Sequence, residues 1–346
     1  MYIYIYIMIK IDKINIKLIQ QINNAGDSSL EFNIKGNNIN YVIVNTLRRT
    51  IFSDIPIYAF DKFKFEKNTS IFHNNYLSLR IRNMPVWGID NNIDFIENKK
   101  KKDKSSEVLE NDEEDFVDFD IDVEKNFNSS TLKQFTMYVN YKNKTNEIIN
   151  VTTEHAKFYF EEKHINSPYN IDIPIIKLQP NQEIIFSAIT ELGTEQENTI
   201  YSPVSVNYYK EINDNEFHYV LESRGQLTEK RILLVAIYNI DKRIKNFLKL
   251  FKNNDNDNKV NVEEESKLQG IIIINNEDHT LGNLINRGLQ QHSDISFSGY
   301  NMPHPLLNKV HINFKLKKNI IANVIEDVVN YYILLFNEIK KQIMEL

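Results

Sequence analysis

The sequence predicts an α+β fold built from two units of similar plan, each a strand, a short helix, further strands and a long closing helix, with a β-rich insertion in the first. Three observations predict it. The same order of strand-like and helix-like segments occurs twice along the 346 residues. Each occurrence ends in a long helical segment whose apolar stripe has no partner within its own unit. Between the early and late parts of the first occurrence lies a region of short, alternating apolar segments. Two unpartnered stripes are covered most simply by packing the units on each other, as an intramolecular pseudo-dimer.

The first unit is expected over residues 1–84 and 185–252. Ile3, Ile5, Ile7, Ile9 and Ile11 alternate at the period of a strand. Met1–Ile9 lacks a basic start and a small-residue cleavage site, so it is not read as a signal peptide, and it is too short to cross a bilayer as a helix. Met8 is an alternative start. Ile14–Ile22 and Leu30–Ile34 read as strands. Ile39, Val42, Ile43, Leu47 and Ile51 recur at helical steps. Pro56 stops that helix, and Ile57–Phe65 reads as strand. Glu183–Tyr209 and Phe217–Glu222 are again strand-like. Thr228–Phe251 is a long helix with a seam of Leu233, Ile237, Ile240, Ile244, Phe247 and Phe251.

Residues 85–184 read as the insertion, with strands at Phe135–Tyr141 and Ala156–Phe160 and a mobile charged loop over 99–124. Residues 253–267, rich in Asn, Asp and Glu, read as a linker. The second unit is expected over 268–346. Gly270–Ile274 is a strand, and Asp278 or Thr280 caps a helix whose Leu281, Leu284, Ile285 and Leu289 share a face. Lys309–Lys317 alternates, with Val310, Ile312, Phe314 and Leu316 on the buried side. Ile321, Val324, Val328, Tyr332, Leu335, Ile339 and Ile343 form the final seam.

Composition removes several function classes. Hydrophobic residues make up 42%, enough for packed cores. Net charge is −6, against a phosphate-neutralising clamp. The one dense basic run, Lys99–Lys102, is followed by an acidic stretch, Glu107–Asp122, and reads as a solvated loop. There is no cysteine, hence no disulfide, thiolate metal site or cysteine nucleophile. The eight histidines show no HExxH spacing. Asp118, Asp120 and Asp122 alternate as in a calcium loop, but the glycine and closing glutamate of such a loop are missing. No glycine-rich phosphate loop or nucleophilic triad stands out, so no catalytic residue, cofactor or metal is expected.

Two segments resemble a known family. Asn45-Thr46-Leu47-Arg48-Arg49-Thr50, Ser53-Asp54-Ile55-Pro56, and Asn68-Thr69-Ser70 with His73 are similar to the alpha-type motif of RNA polymerases, as in the bacterial alpha subunit, the archaeal D subunit and the third-largest subunit of polymerase II. Leu178–Glu183, Tyr201-Ser202-Pro203-Val204 and Glu222-Ser223-Arg224-Gly225 follow in that family's order. Glu277-Asp278-His279-Thr280-Leu281-Gly282-Asn283-Leu284, then Phe297-Ser298-Gly299-Tyr300 and Pro303-His304-Pro305-Leu306, resemble the small partner, the archaeal L or eukaryotic eleventh subunit. Both in one chain resemble the fused alpha-like subunit of large DNA viruses. Many cellular relatives carry metal-binding cysteines in the insertion; this chain departs from them, so its insertion must rest on apolar packing.

The resemblance implies two alpha-like dimerisation units acting as a non-catalytic assembly scaffold of DNA-directed RNA polymerase. It implies partners in the two largest subunits, chiefly the second-largest, and in small subunits, with no direct DNA or membrane binding. The site of action would be that of transcription; for a viral chain, host cytoplasm or nucleus and the virion. Asn45, Arg48 and Arg49 are the implied partner contact, since Arg forms paired hydrogen bonds to carboxylates; the competing reading is a surface pair lying over its own helix. Leu47, Leu233, Ile240, Phe247, Leu281, Leu284, Val328 and Leu335 are expected between the halves. Asp278, His279, Thr280, Gly282, Asn283, Gly299, Pro303, His304 and Pro305 are structural, His279 and Thr280 as a cap or turn pair. The isolated chain is expected to be a monomer. The alternative is a free-standing regulator that keeps the fold without binding polymerase.

Overall fold

The computed structural model describes residues 13–24, 27–87, 135–160, 163–253, 259–304, 307–318 and 320–346. The strand expected over Ile3–Ile11, the basic run Lys99–Lys102, the charged loop 99–124 with its three alternating aspartates, and Pro305 lie outside the described residues. The fold is mixed α and β and divides into two compact units, Met1–Ile55 with Ser202–Leu346, and Pro56–Tyr201. Among the described residues no helix is long and apolar enough to cross a membrane.

In the first unit, β1 (Asn15–Asn24) and β2 (Asp27–Lys35) precede α1 (Tyr41–Ser53), and β10 (Val204–Asn213) and β11 (Glu216–Ser223) precede α3 (Glu229–Asn253). The strands form one antiparallel sheet in the order β1-β2-β11-β10. Its covered face is set by alternation: Leu30, Phe32 and Ile34 on β2 and Phe217, Tyr219 and Leu221 on β11 are all buried. Phe32 and Tyr219 are stacked with ring centroids 5.2 Å apart.

The later elements repeat this plan. β12 (Val260–Ser266), β13 (Gln269–Asn275), α4 (His279–Gln291), β14 (Ile295–Asn301), β15 (Lys309–Leu316) and α5 (Ile321–Glu345) follow one another. Their sheet order is β12-β13-β15-β14, strand for strand the order of the first sheet. Helices stand at the same two places in each. β12 departs from the linker expected over 253–267, since Val260–Ser266 is a strand. It is an edge strand paired to β13 from Val260↔Ile274 to Ser266↔Gln269. An edge strand needs few apolar residues, and here the exposed Glu263, Glu264 and Glu265 hide it in composition.

The helices start and stop for local reasons. The Asn40 carboxamide oxygen accepts from the amides of Val42 (2.9 Å) and Ile43 (3.3 Å) to open α1. The Asp54 amide donates to Thr50 O at 3.0 Å as α1 closes, two residues before Pro56. Such caps contribute about 1 kcal/mol each. Asp278, rather than Thr280, caps α4, accepting from the Thr280 amide at 2.8 Å. The α5 seam is buried throughout, Val328 and Leu335 included, and the α3 seam is buried at Leu233, Ile237, Ile240, Ile244 and Phe247 but only half-buried at Phe251.

The helix contacts run in reciprocal pairs. α3 packs against α5 and α1 against α4; α3 also touches β12, and α5 touches β1. α4 lies close on α5 at Gly288, where a Cβ would come within 2.4 Å of Val328 Cγ1 and 2.9 Å of Tyr332 Cε2. Glycine at this position lets the two helices approach, at a cost in helix propensity of about 1 kcal/mol.

The second unit holds β3 (Ile57–Asn68), α2 (Asn74–Arg82), β4 (Phe135–Lys142), β5 (Ile149–Thr152), β6 (Ala156–Phe160), β7 (Lys163–Ile165), β8 (Pro174–Leu178) and β9 (Glu183–Gly193). One antiparallel sheet runs β3-β9-β4-β6-β7, and β5 pairs with β8. The edges expected for the insertion, after residue 84 and before 185, lie elsewhere, at Pro56 and Tyr201. The reason is pairing: β3 and β9 bond to each other from Ile57↔Gly193 to Asn68↔Ile184. Two strands far apart in sequence carry no local mark of that choice. Packing without cysteine is supplied by rings: Phe60, Phe135, Phe158 and Tyr169 follow one another at 6.0, 5.8 and 5.5 Å. Ring pairs in such geometries contribute about 0.5–1.5 kcal/mol each beyond area burial.

Candidate functional site

The densest polar constellation of the first unit sits where α4 begins. Arg243, on α3, donates from Nε and Nη2 to Glu277 Oε2 (2.8 and 2.6 Å), from Nη2 to Asp278 Oδ1 (2.7 Å) and from Nη1 to Asp54 Oδ2 (3.2 Å). Arg49, on α1, donates from Nε to Thr280 Oγ1 (2.8 Å) and faces Asp278 Oδ2 at 3.4 Å. Asn239 closes the arrangement, donating to Asp54 O at 2.9 Å. Two guanidiniums thus meet three carboxylates: Arg243 and Arg49 reach Glu277 and Asp278 at the opening of α4, and Arg243 also ties α3 to Asp54 at the end of α1.

These side chains are largely shielded, Arg243, Glu277 and Asp54 being 21, 19 and 17% exposed. Burial pushes the Arg243 guanidinium down, and Glu277, Asp278 and Asp54 more than reverse it, so it stays charged. Burial also pushes the Asp278 carboxyl up; Arg243, the Thr280 amide and hydroxyl and Arg49 together hold it below the usual range. Burial raises the Glu277 carboxyl, with Arg243 offsetting only part of that. Asp278 therefore has two tasks, capping α4 and receiving charge from the other half. The arrangement is a clamp; the described residues contain no group of three or more acidic or histidine side chains placed to hold a metal ion.

The outward side of α1 forms a second feature. Tyr41, Asn45, Arg48 and Phe52 follow at steps of four, three and four, one stripe of a helix. Arg48 Nε donates to Asn45 Oδ1 at 3.1 Å, and its guanidinium carbon lies 5.9 Å from the Phe52 ring centroid. Its carbonyl accepts from Asn207 Nδ2 (3.0 Å), whose Oδ1 accepts from the buried Tyr219 hydroxyl (2.6 Å). The two arginines are thus unequal. Arg48 bonds along its own helix to Asn45, whereas Arg49, its side chain still 39% exposed, bonds to Thr280 and Asp278 of α4.

The remaining sequence-named residues sort by burial. Leu47, Leu281 and Leu284 are buried at 4, 2 and 1% exposure. His279 meets Tyr300 edge-on at 6.0 Å. A Cβ on Gly282 would come within 2.6 Å of Val310 Cγ1, so this glycine lets α4 settle on β15. Asn283, on α4, is half-buried. A Cβ on Gly299 would come within 3.3 Å of Phe297 Cζ. Pro303 and His304 lie in the turn after β14, where His304 O accepts from the Leu307 amide at 3.1 Å. Sequence reasoning missed Arg243, Asp54, Glu277 and Asn239 as a group. One signal was present: Arg243 stands three residues after Ile240 and four before Phe247, a charge on the edge of an apolar seam.

Comparison with known proteins agrees with this architecture. Residues 269–342 match the RNA polymerase Rpb3/Rpb11 dimerisation domain. A protein of Acanthamoeba polyphaga mimivirus that carries the name of a DNA-directed RNA polymerase subunit is 25% identical over 337 residues, 90% of each chain. The polymerase II subunit rpb11 of Dictyostelium discoideum is 40% identical over 72 residues, 20% of this chain and 60% of that one. The RPAC1 subunit of polymerases I and III of Homo sapiens is 27% identical over 192 residues, 54% of this chain and 52% of that one. The chain is therefore a homologue of the alpha-like subunits of RNA polymerase, with likeness to both the Rpb3 type and the Rpb11 type within one polypeptide.

Proposed function

We propose that this chain is a non-catalytic assembly subunit of a DNA-directed RNA polymerase, whose two halves form an intramolecular pseudo-dimer that binds the two largest subunits. The observation that carries the reading is the repeated strand order with reciprocal packing, α3 on α5, α3 on β12 and α5 on β1. A two-fold-related pair makes each contact twice, once in each direction. A tether raises the local concentration of the second half to about millimolar, which favours pairing within the chain. Sedimentation of the isolated chain should therefore give a monomer; a stable homodimer would mean that the halves exchange between chains.

The deciding experiment is co-expression with the two largest polymerase subunits of the same genome. Elution of all three together in constant ratio is the expected result. A chain that elutes alone, with its melting transition intact, would remove the assembly reading. The contact surface proposed for the second-largest subunit is the outward stripe of α1, with Arg48 as its charge. Arg48→Glu should leave the melting temperature unchanged and weaken recruitment by about 2–5 kcal/mol. Equal recruitment by this variant would exclude Arg48 from the contact. Arg48→Glu alone is more telling than a change of both Arg48 and Arg49 to Glu, because Arg49 also ties α1 to α4.

A further inference from the structure

We propose that the groove between α2 and β8 in the second unit is a docking site for a segment of a partner polypeptide that presents a large apolar side chain between carboxylates. The groove has a volume of about 120 Å³ and is lined by Phe72, Tyr76, Leu77, Arg80, Ile176 and Lys177, among others. Leu77 and Ile176 are buried beneath it. Phe72 and Tyr76 form one wall, stacked at 5.0 Å with an interplanar angle of 16°. Arg80 is held in place by a hydrogen bond from Nη2 to Pro174 O at 3.0 Å.

Helix α2 is unusual in its outward face. It buries Leu77 and Ile81 and leaves Tyr76 and Leu79 49 and 60% exposed; Ile71, just before it, is 68% exposed. A surface helix ordinarily turns polar side chains outward, and clustered exposed apolar groups mark interaction surfaces. Aromatic and Arg side chains together make the composition typical of interface centres. Charge selects the occupant. In a chain of net charge −6 the groove lining carries two cations, Arg80 and Lys177, and no carboxylate. An acidic segment gains from both, and a basic one is repelled.

The test uses the full chain and a fluorescently labelled synthetic peptide, Asp-Glu-Asp-Phe-Asp-Glu-Asp, followed by anisotropy. Saturable binding is expected, weakening with added salt. Tyr76→Glu and Lys177→Glu should each reduce affinity about tenfold or more, the equivalent of 1.4 kcal/mol. Both residues are exposed, so unchanged melting curves show that the fold survives. Three results would overturn the proposal: no binding, equal binding of a peptide with Asn and Gln in place of the acids, or binding indifferent to both substitutions. A fourth would do so as well. A photoreactive side chain at position 76 that links chiefly to the chain's own acidic run, 107–122, would show the groove to be filled from within.

Discussion

Leu284→Asp should lower the stability of the chain by more than about 4 kcal/mol, combining a lost aliphatic side chain with an unpaired buried charge. Leu284 is 1% exposed on α4, the helix that packs against α1, α5, β14 and β15. Its place leaves an aspartate no route to water without unseating the helix. Urea titration followed by circular dichroism reads the effect directly. Leu284→Met, which keeps volume, should cost less than about 1.5 kcal/mol. If the aspartate variant melted like the parent, Leu284 would not be a core residue and the packing of α4 described above would be wrong.

Arg243→Ala should be nearly as damaging, at about 3–5 kcal/mol, because it leaves Glu277, Asp278 and Asp54 close together without their shared cation. Removing one partner of a shielded ion cluster is costly even where the intact cluster adds little net stability. Arg243→Lys should recover only part of the loss. A lysine ammonium is a point charge and cannot present the fork that reaches Glu277, Asp278 and Asp54 together. A loss below about 1 kcal/mol for Arg243→Ala would place the cluster in the same class as weak surface pairs and deny it the role of clamp.

Much of the fold was legible in the sequence because its signals are local. Alternation along β2 and Lys309–Leu316 marked half-buried strands, and three-and-four spacing marked both long seams. Asp278 before an apolar run marked the start of α4. The resemblance of two short motifs added the functional reading, and it matched the residues around α1 and α4. The inequality of Arg48 and Arg49 was not legible. Adjacent residues on a helix point about 100° apart, and only the position of α4 decides that Arg49 meets Thr280 and Asp278.

Apart from α2 and β12, the sequence by itself determined the types of the main elements, their duplicated order and the apolar faces that require a partner, because burial periodicity and capping act within a few residues. Tertiary structure alone decided the rest. It made Val260–Ser266 an edge strand through pairing to β13, and it joined β3 to β9, which moved the boundary of the second unit to Pro56 and Tyr201. It brought Asp54, Arg243, Glu277 and Asp278 to one point from three separate stretches of chain. Strand pairing and charge clustering depend on which distant segments meet, and the backbone groups and side chains involved look the same in sequence whichever partner they find.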